Sequence, residues 1–262
     1  MKTLSVALLT GLLSIGAHAG QFTGWTVNGS AKLLDSDNTL NLTANVGGQA
    51  GSGWAPTKLS LLSDFSVAFS FRLANDGSEP ADGITIAFQN NAAGTAALGA
   101  SGGYLGYQGI DKSVAFIYDT YENNFDTDRV AGFNTSVAGN GNVVDFWGGT
   151  TIGSAFPTLR DGVVYSWVDY SRANGRFLTY ISNTNVKPLT ASENISAGDW
   201  TAFFGSNDAS VGFTGGTGAS YDTQDILSFN VTTNAVPEPE TYALMLGGLG
   251  VVAFMARRRR RA

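Results

Sequence analysis

Phe65, Val67, Phe69, Phe71 and Leu73 alternate with Ser66, Ala68, Ser70 and Arg72, so every odd position of the run is apolar. A period of two collects those five side chains on one face of a strand, whereas a helix would scatter them around its circumference. This part of the chain is therefore tied to a sheet with one buried face. Related patterns occupy residues 84–88, 113–118, 163–170, 176–182, 200–205 and 226–231, and no internal segment has a convincing helical period. Glycine-rich breaks at 47–53, 99–103, 139–149 and 212–218 read as long loops rather than domain linkers, because a strand pattern resumes after each. The fold class that follows is all-β: one antiparallel β-sandwich, a single domain without internal repeats.

Two terminal segments stand apart from that domain. At the start, Lys2 precedes an apolar run over 4–15 that is too short to span a bilayer, and Ala17 and Ala19 supply small residues at cleavage positions. Residues 1–19 are read as a signal peptide and 20–234 as the sandwich. At the other end, Val236-Pro237-Glu238-Pro239-Glu240 interrupts regular structure. An uncharged apolar stretch over 242–256 follows, and then five consecutive arginines, 257–261. That order of features in 235–262 resembles the PEP-CTERM sorting signal of Gram-negative bacteria. The resemblance implies transient anchoring in the inner membrane, recognition by an exosortase, and release to the cell surface or extracellular matrix.

Charge and residue inventory then exclude whole classes of function. The chain has 15 Lys/Arg and 21 Asp/Glu. Setting aside Lys2, the five terminal arginines, Glu238 and Glu240 leaves 9 basic against 19 acidic residues in the domain, a net charge of −10. Such a surface repels nucleic acid and anionic membrane and suits a cation-binding or soluble role. There is no cysteine, and His18, the only histidine, lies in the signal segment. Ser-His-Asp and Cys-His catalysis and His- or Cys-ligated zinc are thus unavailable to the mature domain.

The chemistry that remains is oxygen chemistry. The strand pattern at 113–118 runs into Asp119-Thr120-Tyr121-Glu122-Asn123-Asn124-Phe125-Asp126-Thr127-Asp128, a cluster of hard donors that favours calcium over transition metals. Asp119, Tyr121 and Asn123 are two residues apart and can converge on one side of a strand end. Asp119 and Asn123 would offer side-chain oxygens and Tyr121 its carbonyl, with Asp126 or Asp128 closing the loop. Three further segments accompany this one. Asp82-Gly83 leads into a hydrophobic strand, Ser101-Gly102-Gly103-Tyr104 is a glycine loop, and residues 212–222 form a second glycine-rich loop through Ala219, Ser220 and Asp222.

Taken together and in this order, the segments resemble the L-type lectin family, which includes plant legume lectins and bacterial relatives. The likeness runs from about Trp54 to Phe229 and implies a concanavalin-like jelly roll with a sugar site on loops at one end. It implies that Asp82, after a cis Ala81–Asp82 peptide, accepts hydrogen bonds from sugar hydroxyls. It further implies that Gly103 donates its amide, that Asn123 serves both calcium and sugar, and that the Tyr121 ring stacks on the pyranose. Ala219 and Ser220 would line the loop that selects the monosaccharide. Legume lectins also hold a second, transition metal through a Glu and a His; Ile117 and Val130 stand at those positions here, so the expectation is calcium alone. The implied partner is a carbohydrate such as an exopolysaccharide, and relatives that pair edge to edge leave a homo-oligomer open.

The reading is therefore an exported, calcium-dependent, non-catalytic carbohydrate-binding protein. Two alternatives remain beside it. One is a cell-surface or matrix protein that keeps the fold without sugar binding. The other, less favoured, is a glycoside hydrolase, which needs two carboxyls about the scissile bond; no strand-borne run of alternating acids is present, and Glu79, Glu122 and Glu193 look isolated in loop-like contexts.

Overall fold

A computed structural model describes residues 20–74, 80–121, 134–146, 150–151, 159 and 162–233. In chain order its strands are β1 (Thr26–Gly29), β2 (Lys32–Leu34), β3 (Thr39–Thr43), β4 (Ala50–Trp54), β5 (Leu59–Ser60), β6 (Phe65–Ala74), β7 (Gly83–Gln89) and β8 (Ser113–Asp119). They continue with β9 (Asn134–Gly139), β10 (Asn142–Phe146), β11 (Thr150–Thr151), β12 (Val164–Ser171), β13 (Arg176–Ser182), β14 (Glu193–Ser196), β15 (Asp208–Gly216) and β16 (Thr223–Thr233). One sheet runs β1-β4-β15-β7-β8-β9-β10, with β5 and β11 attached to β15 and β9. The other runs β14-β13-β12-β6-β16-β3-β2. Every pairing is antiparallel.

The alternation in β6 has the consequence its sequence dictates: Phe65, Val67, Phe69, Phe71 and Leu73 all lie in the core. They meet Ile84, Ile86 and Phe88 of β7 and Val114, Phe116 and Tyr118 of β8 from the facing sheet. Phe65, Phe88, Tyr170 and Phe177 interlock with ring centroids 4.8–6.0 Å apart. Each such buried ring contributes about 1.5–3 kcal/mol.

β7 and β8 are buried at every position because the first sheet is covered on both faces. Their other side, Ala87, Ala115 and Ile117, packs with Trp54, Ala97, Leu105, Tyr107 and Ile110 in a second cluster. The covering segment is the 90–112 connection, pinned flat on the sheet. Trp54 Nε1 and Ser52 Oγ both donate to the Ala97 carbonyl at 2.8 Å, and Thr214 Oγ1 donates to the Leu105 carbonyl at 2.7 Å. That anchoring carries Gly102 and Gly103 to the rim of the sheet.

Three expectations need correction. Residues 200–205 are not a strand: Trp200–Phe204 is a short helix, α1, whose N-cap Asp199 accepts from the Thr201 and Ala202 amides and whose C-cap Gly205 takes φ +64°. Trp200 and Phe204, one turn apart, are the buried pair that mimicked alternation. The glycine-rich breaks at 47–53, 139–149 and 212–218 are not simply loops, for they contain most of β4, all of β10 and the second half of β15. Glu193 is not in a loop; it begins β14, is buried, and accepts from Thr135 Oγ1 at 3.1 Å.

Candidate functional site

Several strands of the first sheet end at one rim. Gly83 pairs with Asp119 on β8 and with Gly216 on β15, Gly216 pairs with Ala50 on β4, and Asp119 pairs with Asn134 on β9. Gly83 has φ +129°, and a Cβ there would lie 2.2 Å from the Tyr118 carbonyl oxygen, so only glycine fits between Asp82 and the strand.

Asp82 follows a cis Ala81–Asp82 peptide. Its amide donates to the Gly216 carbonyl at 3.0 Å, and its own carbonyl accepts from the Thr120 amide at 3.0 Å. The residue is thus tied to the ends of β15 and β8 together. Its side chain is only 6% exposed, and Oδ2 has no hydrogen-bond partner among the described residues. Burial pushes the carboxyl up to about 6, with the Gly218 amide pulling weakly the other way.

Two glycine loops close over that carboxylate. The Gly102 amide donates to the Thr217 carbonyl at 3.0 Å, and the Gly48 amide donates to the Gly218 carbonyl at 2.9 Å. A Cβ at Gly218 would lie 3.3 Å from Asp82 Oδ2 and 3.6 Å from Gly102 Cα, so Gly218 sits between the two. Gly103 is exposed beside them, Ala219 is exposed, and Ser220 is half-buried with its carbonyl accepting from the Gly218 amide at 3.1 Å. The structure therefore brings Asp82, the Gly103 loop and the Ala219–Ser220 loop to one place.

Asp119 stands at the same rim, 6% exposed, its Oδ1 accepting from the Tyr121 amide at 2.9 Å. Tyr121 is half-buried. Asn123, Asp126, Asp128 and Val130 lie outside the described residues, as do Glu79 and Glu122. Among the described residues no group of three His, Cys, Asp or Glu could hold a metal ion. The described part of the expected donor set is a nearly buried carboxylate at a strand end beside Asp82, a hard oxygen environment that fits calcium better than zinc. Ile117, where the resemblance leads one to look for a second-metal carboxylate, is buried in the cluster with Ala87 and Ala115 and offers no ligand atom.

Sequence reasoning missed the residues that hold the rim. Gln224 Nε2 donates to the Gly216 carbonyl and to Asp222 Oδ1, both at 2.9 Å, and reaches the Ala81 carbonyl at 3.5 Å. Thr217 Oγ1 donates to the Val46 carbonyl at 2.8 Å and accepts from the Gln49 amide at 2.9 Å. A signal for Gln224 existed: it shares the strand face of buried Ile226, a polar side chain at a core position of β16.

Comparison with known proteins gives the following. A family model described as "Legume lectin domain" matches residues 20–244, and one described as "PEP-CTERM protein-sorting motif" matches residues 235–261. A lectin from Bauhinia forficata in complex with GalNAc superposes with TM-score 0.65 at 20% identity, covering 84% of this chain and 95% of that one. Lectin II from Ulex europaeus gives TM-score 0.65 at 20% identity over 81% and 93%. The VIP36 exoplasmic/lumenal domain in its Ca2+/Man3GlcNAc-bound form gives 0.61 at 22% identity over 82% and 86%. At these identities the likeness speaks to the fold: a two-sheet antiparallel sandwich.

Proposed function

The chain belongs to the legume lectin domain family, and on that premise we propose that it is an exported, calcium-dependent carbohydrate-binding protein without catalysis. The family is one of sugar-binding, typically non-catalytic domains. The observation that supports the reading here is Asp82: a nearly buried carboxylate, one oxygen unpartnered among the described residues, framed by two glycine loops. A buried carboxylate with one oxygen unpartnered among the described residues can take further donors, and vicinal sugar hydroxyls supply donors at close spacing. Glycine backbones let a flat ring approach without side-chain interference.

In this proposal Asp82 accepts from two hydroxyls, Gly103 donates its amide, and Ala219 and Ser220 border the ring. Tyr121 stacks on its apolar face, and Asn123 bridges sugar and ion. Asp119, the Tyr121 carbonyl, Asn123 and Asp126 or Asp128 would hold calcium, whose charge supplies electrostatic fixation of the Asn123 loop. The bound relatives hold GalNAc in one case and Man3GlcNAc in another, so the fold accommodates more than one sugar type. The C-terminal motif supports export, exosortase processing and a cell-surface or exopolysaccharide-matrix destination, with 1–19 as signal peptide and 20–234 as the mature domain.

Glycan-array binding by the wild type, lost in chelator and in Asp82→Ala and Asn123→Ala, is the expected result. Wild-type-like binding by Asp82→Ala would remove the site assignment. Ile117 in place of a metal-binding carboxylate favours a second reading, a matrix protein that keeps the fold without a sugar site. Under that reading no glycan binds, with or without calcium.

A further inference from the structure

The alternation that buries Val164, Ser166, Val168 and Tyr170 of β12 turns Tyr165, Trp167 and Asp169 to the outer face of the second sheet. Two large rings there add nothing to the core. On β6 they are matched by small side chains, for Tyr165 pairs with Ser70, Trp167 with Ala68 and Asp169 with Ser66. Beyond β6 stand Asn230 and Thr232 of β16, paired with Ala68 and Ser66 and both exposed. The outer face is thus a trough, with rings on one side, a floor of Ser and Ala, and amide and hydroxyl groups on the other. Toward Ser171 it opens into a groove of about 410 Å³ that Ser66, Asp169, Thr232, Asp64 and Lys187 line. From Tyr165 to Ser171 the trough follows β12 for roughly 20 Å by strand rise.

The protein itself makes little use of the neutral groups that face this trough. Neither the Tyr165 hydroxyl, the Trp167 indole N–H nor the side chains of Asn230 and Thr232 make a hydrogen bond among the described residues. The charges differ. Asp169 accepts from Lys187 Nζ at 2.5 Å and from Ser66 Oγ at 2.7 Å, and Lys187 Nζ also lies 4.2 Å from the centre of the Tyr180 ring. That ion pair is neutral as a whole, and Asp64 adds a carboxylate at the end of the groove, which opposes an anionic ligand. What remains on offer is a strip of aromatic face beside a strip of unspent donors and acceptors. A chain of pyranose rings presents the matching surfaces, C–H faces and a rim of hydroxyls, repeated along its length. A protein surface laid here would bury the same amides and hydroxyls without a regular partner for each. The straightness of the trough suits the straight, flat run of a β-1,4-linked chain.

We propose that this outer face is a second, calcium-independent carbohydrate site that takes a neutral β-1,4-linked polysaccharide lengthwise along β12. Its rings stack on Tyr165 and Trp167, and its hydroxyls bond to Asn230 and Thr232. The proposal goes beyond the Asp82 reading and does not rest on it, since the trough lies on the other sheet and includes no proposed calcium ligand. Calorimetric titration of the full chain with cellohexaose in chelator, with cellobiose as the short control, tests it. Saturable hexaose binding is expected, tighter than that of cellobiose because only the longer chain reaches both rings and the groove. Trp167→Ala should weaken it about tenfold, the upper range for an aromatic contact, and Trp167→Phe should recover most of that loss. The double variant Asn230→Ala, Thr232→Ala should weaken it about fivefold. Asp82→Ala should bind hexaose in chelator as the wild type does, which separates failure of this proposal from failure of the rim site. No saturable hexaose binding in chelator, affinity no greater than for cellobiose, or wild-type affinity in Trp167→Ala would each overturn it. So would sedimentation showing a wild-type dimer that Trp167→Ala dissolves, which would assign the face to a second copy of the chain.

Discussion

Burial holds the Asp82 carboxyl near 6, so between that value and the ordinary 3.8 the folded chain keeps a proton that the unfolded chain has lost. The folded state binds more protons in this window, and stability therefore falls as pH rises through it. Above pH 6 the full cost of the buried anion is present, on the order of 3 kcal/mol at most. In metal-free protein, the melting temperature of the wild type should drop from pH 4 to pH 6.5 relative to that of Asp82→Asn, which has nothing to titrate there. Parallel profiles for the two proteins would contradict the assignment. The cost also has a functional sense, because a buried carboxylate with one oxygen unpartnered among the described residues gains from a hydroxyl that supplies a donor. The position of Asp82 was legible in the sequence as an Asp-Gly pair opening a hydrophobic strand. Its burial was not, since Gly218, 136 residues later in the chain, lies where any Cβ would press on Oδ2.

At the scale of elements, alternation read correctly wherever one strand face was apolar and the other polar, as in β6, β12 and β13. It failed in two ways with physical causes. Residues 200–205 read as a strand, but Asp199 before Trp200 and Gly205 after Phe204 are the helix punctuation that should have weighed more. β4 and β15 look like loops because of their glycines. Those glycines serve close approach instead: a Cβ at Gly53 would meet the Leu40 side chain at 2.6 Å, and one at Gly212 the Trp54 ring at 2.4 Å. Gln224 shows the same limit for the site. Its amide clamps the Gly216 carbonyl and Asp222 beneath the Asp82 rim, so Gln224→Leu removes two buried hydrogen bonds at a cost of about 1–3 kcal/mol. Denaturant melts should show that loss, and glycan titration should show weaker binding than the melt alone accounts for. Unchanged affinity would mean that the rim does not depend on this clamp.

At the scale of the whole molecule, the strand that leads to the proposed metal loop is held by the sheet itself. β8 and β9 pair in register from Val114 with Gly139 to Asp119 with Asn134, and β8 is also paired with β7 along its full length. Among the described residues, the aromatic core between the sheets involves neither Asp119 nor Tyr121 of the proposed calcium ligands. Removing calcium should therefore silence sugar binding while the sandwich stays folded. With few carboxylates facing the ion, affinity is expected at the weak end typical of extracellular modules, roughly 10⁻⁴ M or weaker. A site of that strength, occupied at ten times its dissociation constant, stabilises the fold by only about 1.4 kcal/mol, a shift of a few degrees in a domain of this size. Calorimetry on chelator-treated protein should give a calcium constant in that range without preference for manganese, a melting shift of a few degrees, and complete loss of glycan binding. Nanomolar affinity would require more ligands than the sequence offers, and unfolding on chelation would mean that the loop, and not the interleaved rings, holds the two sheets together.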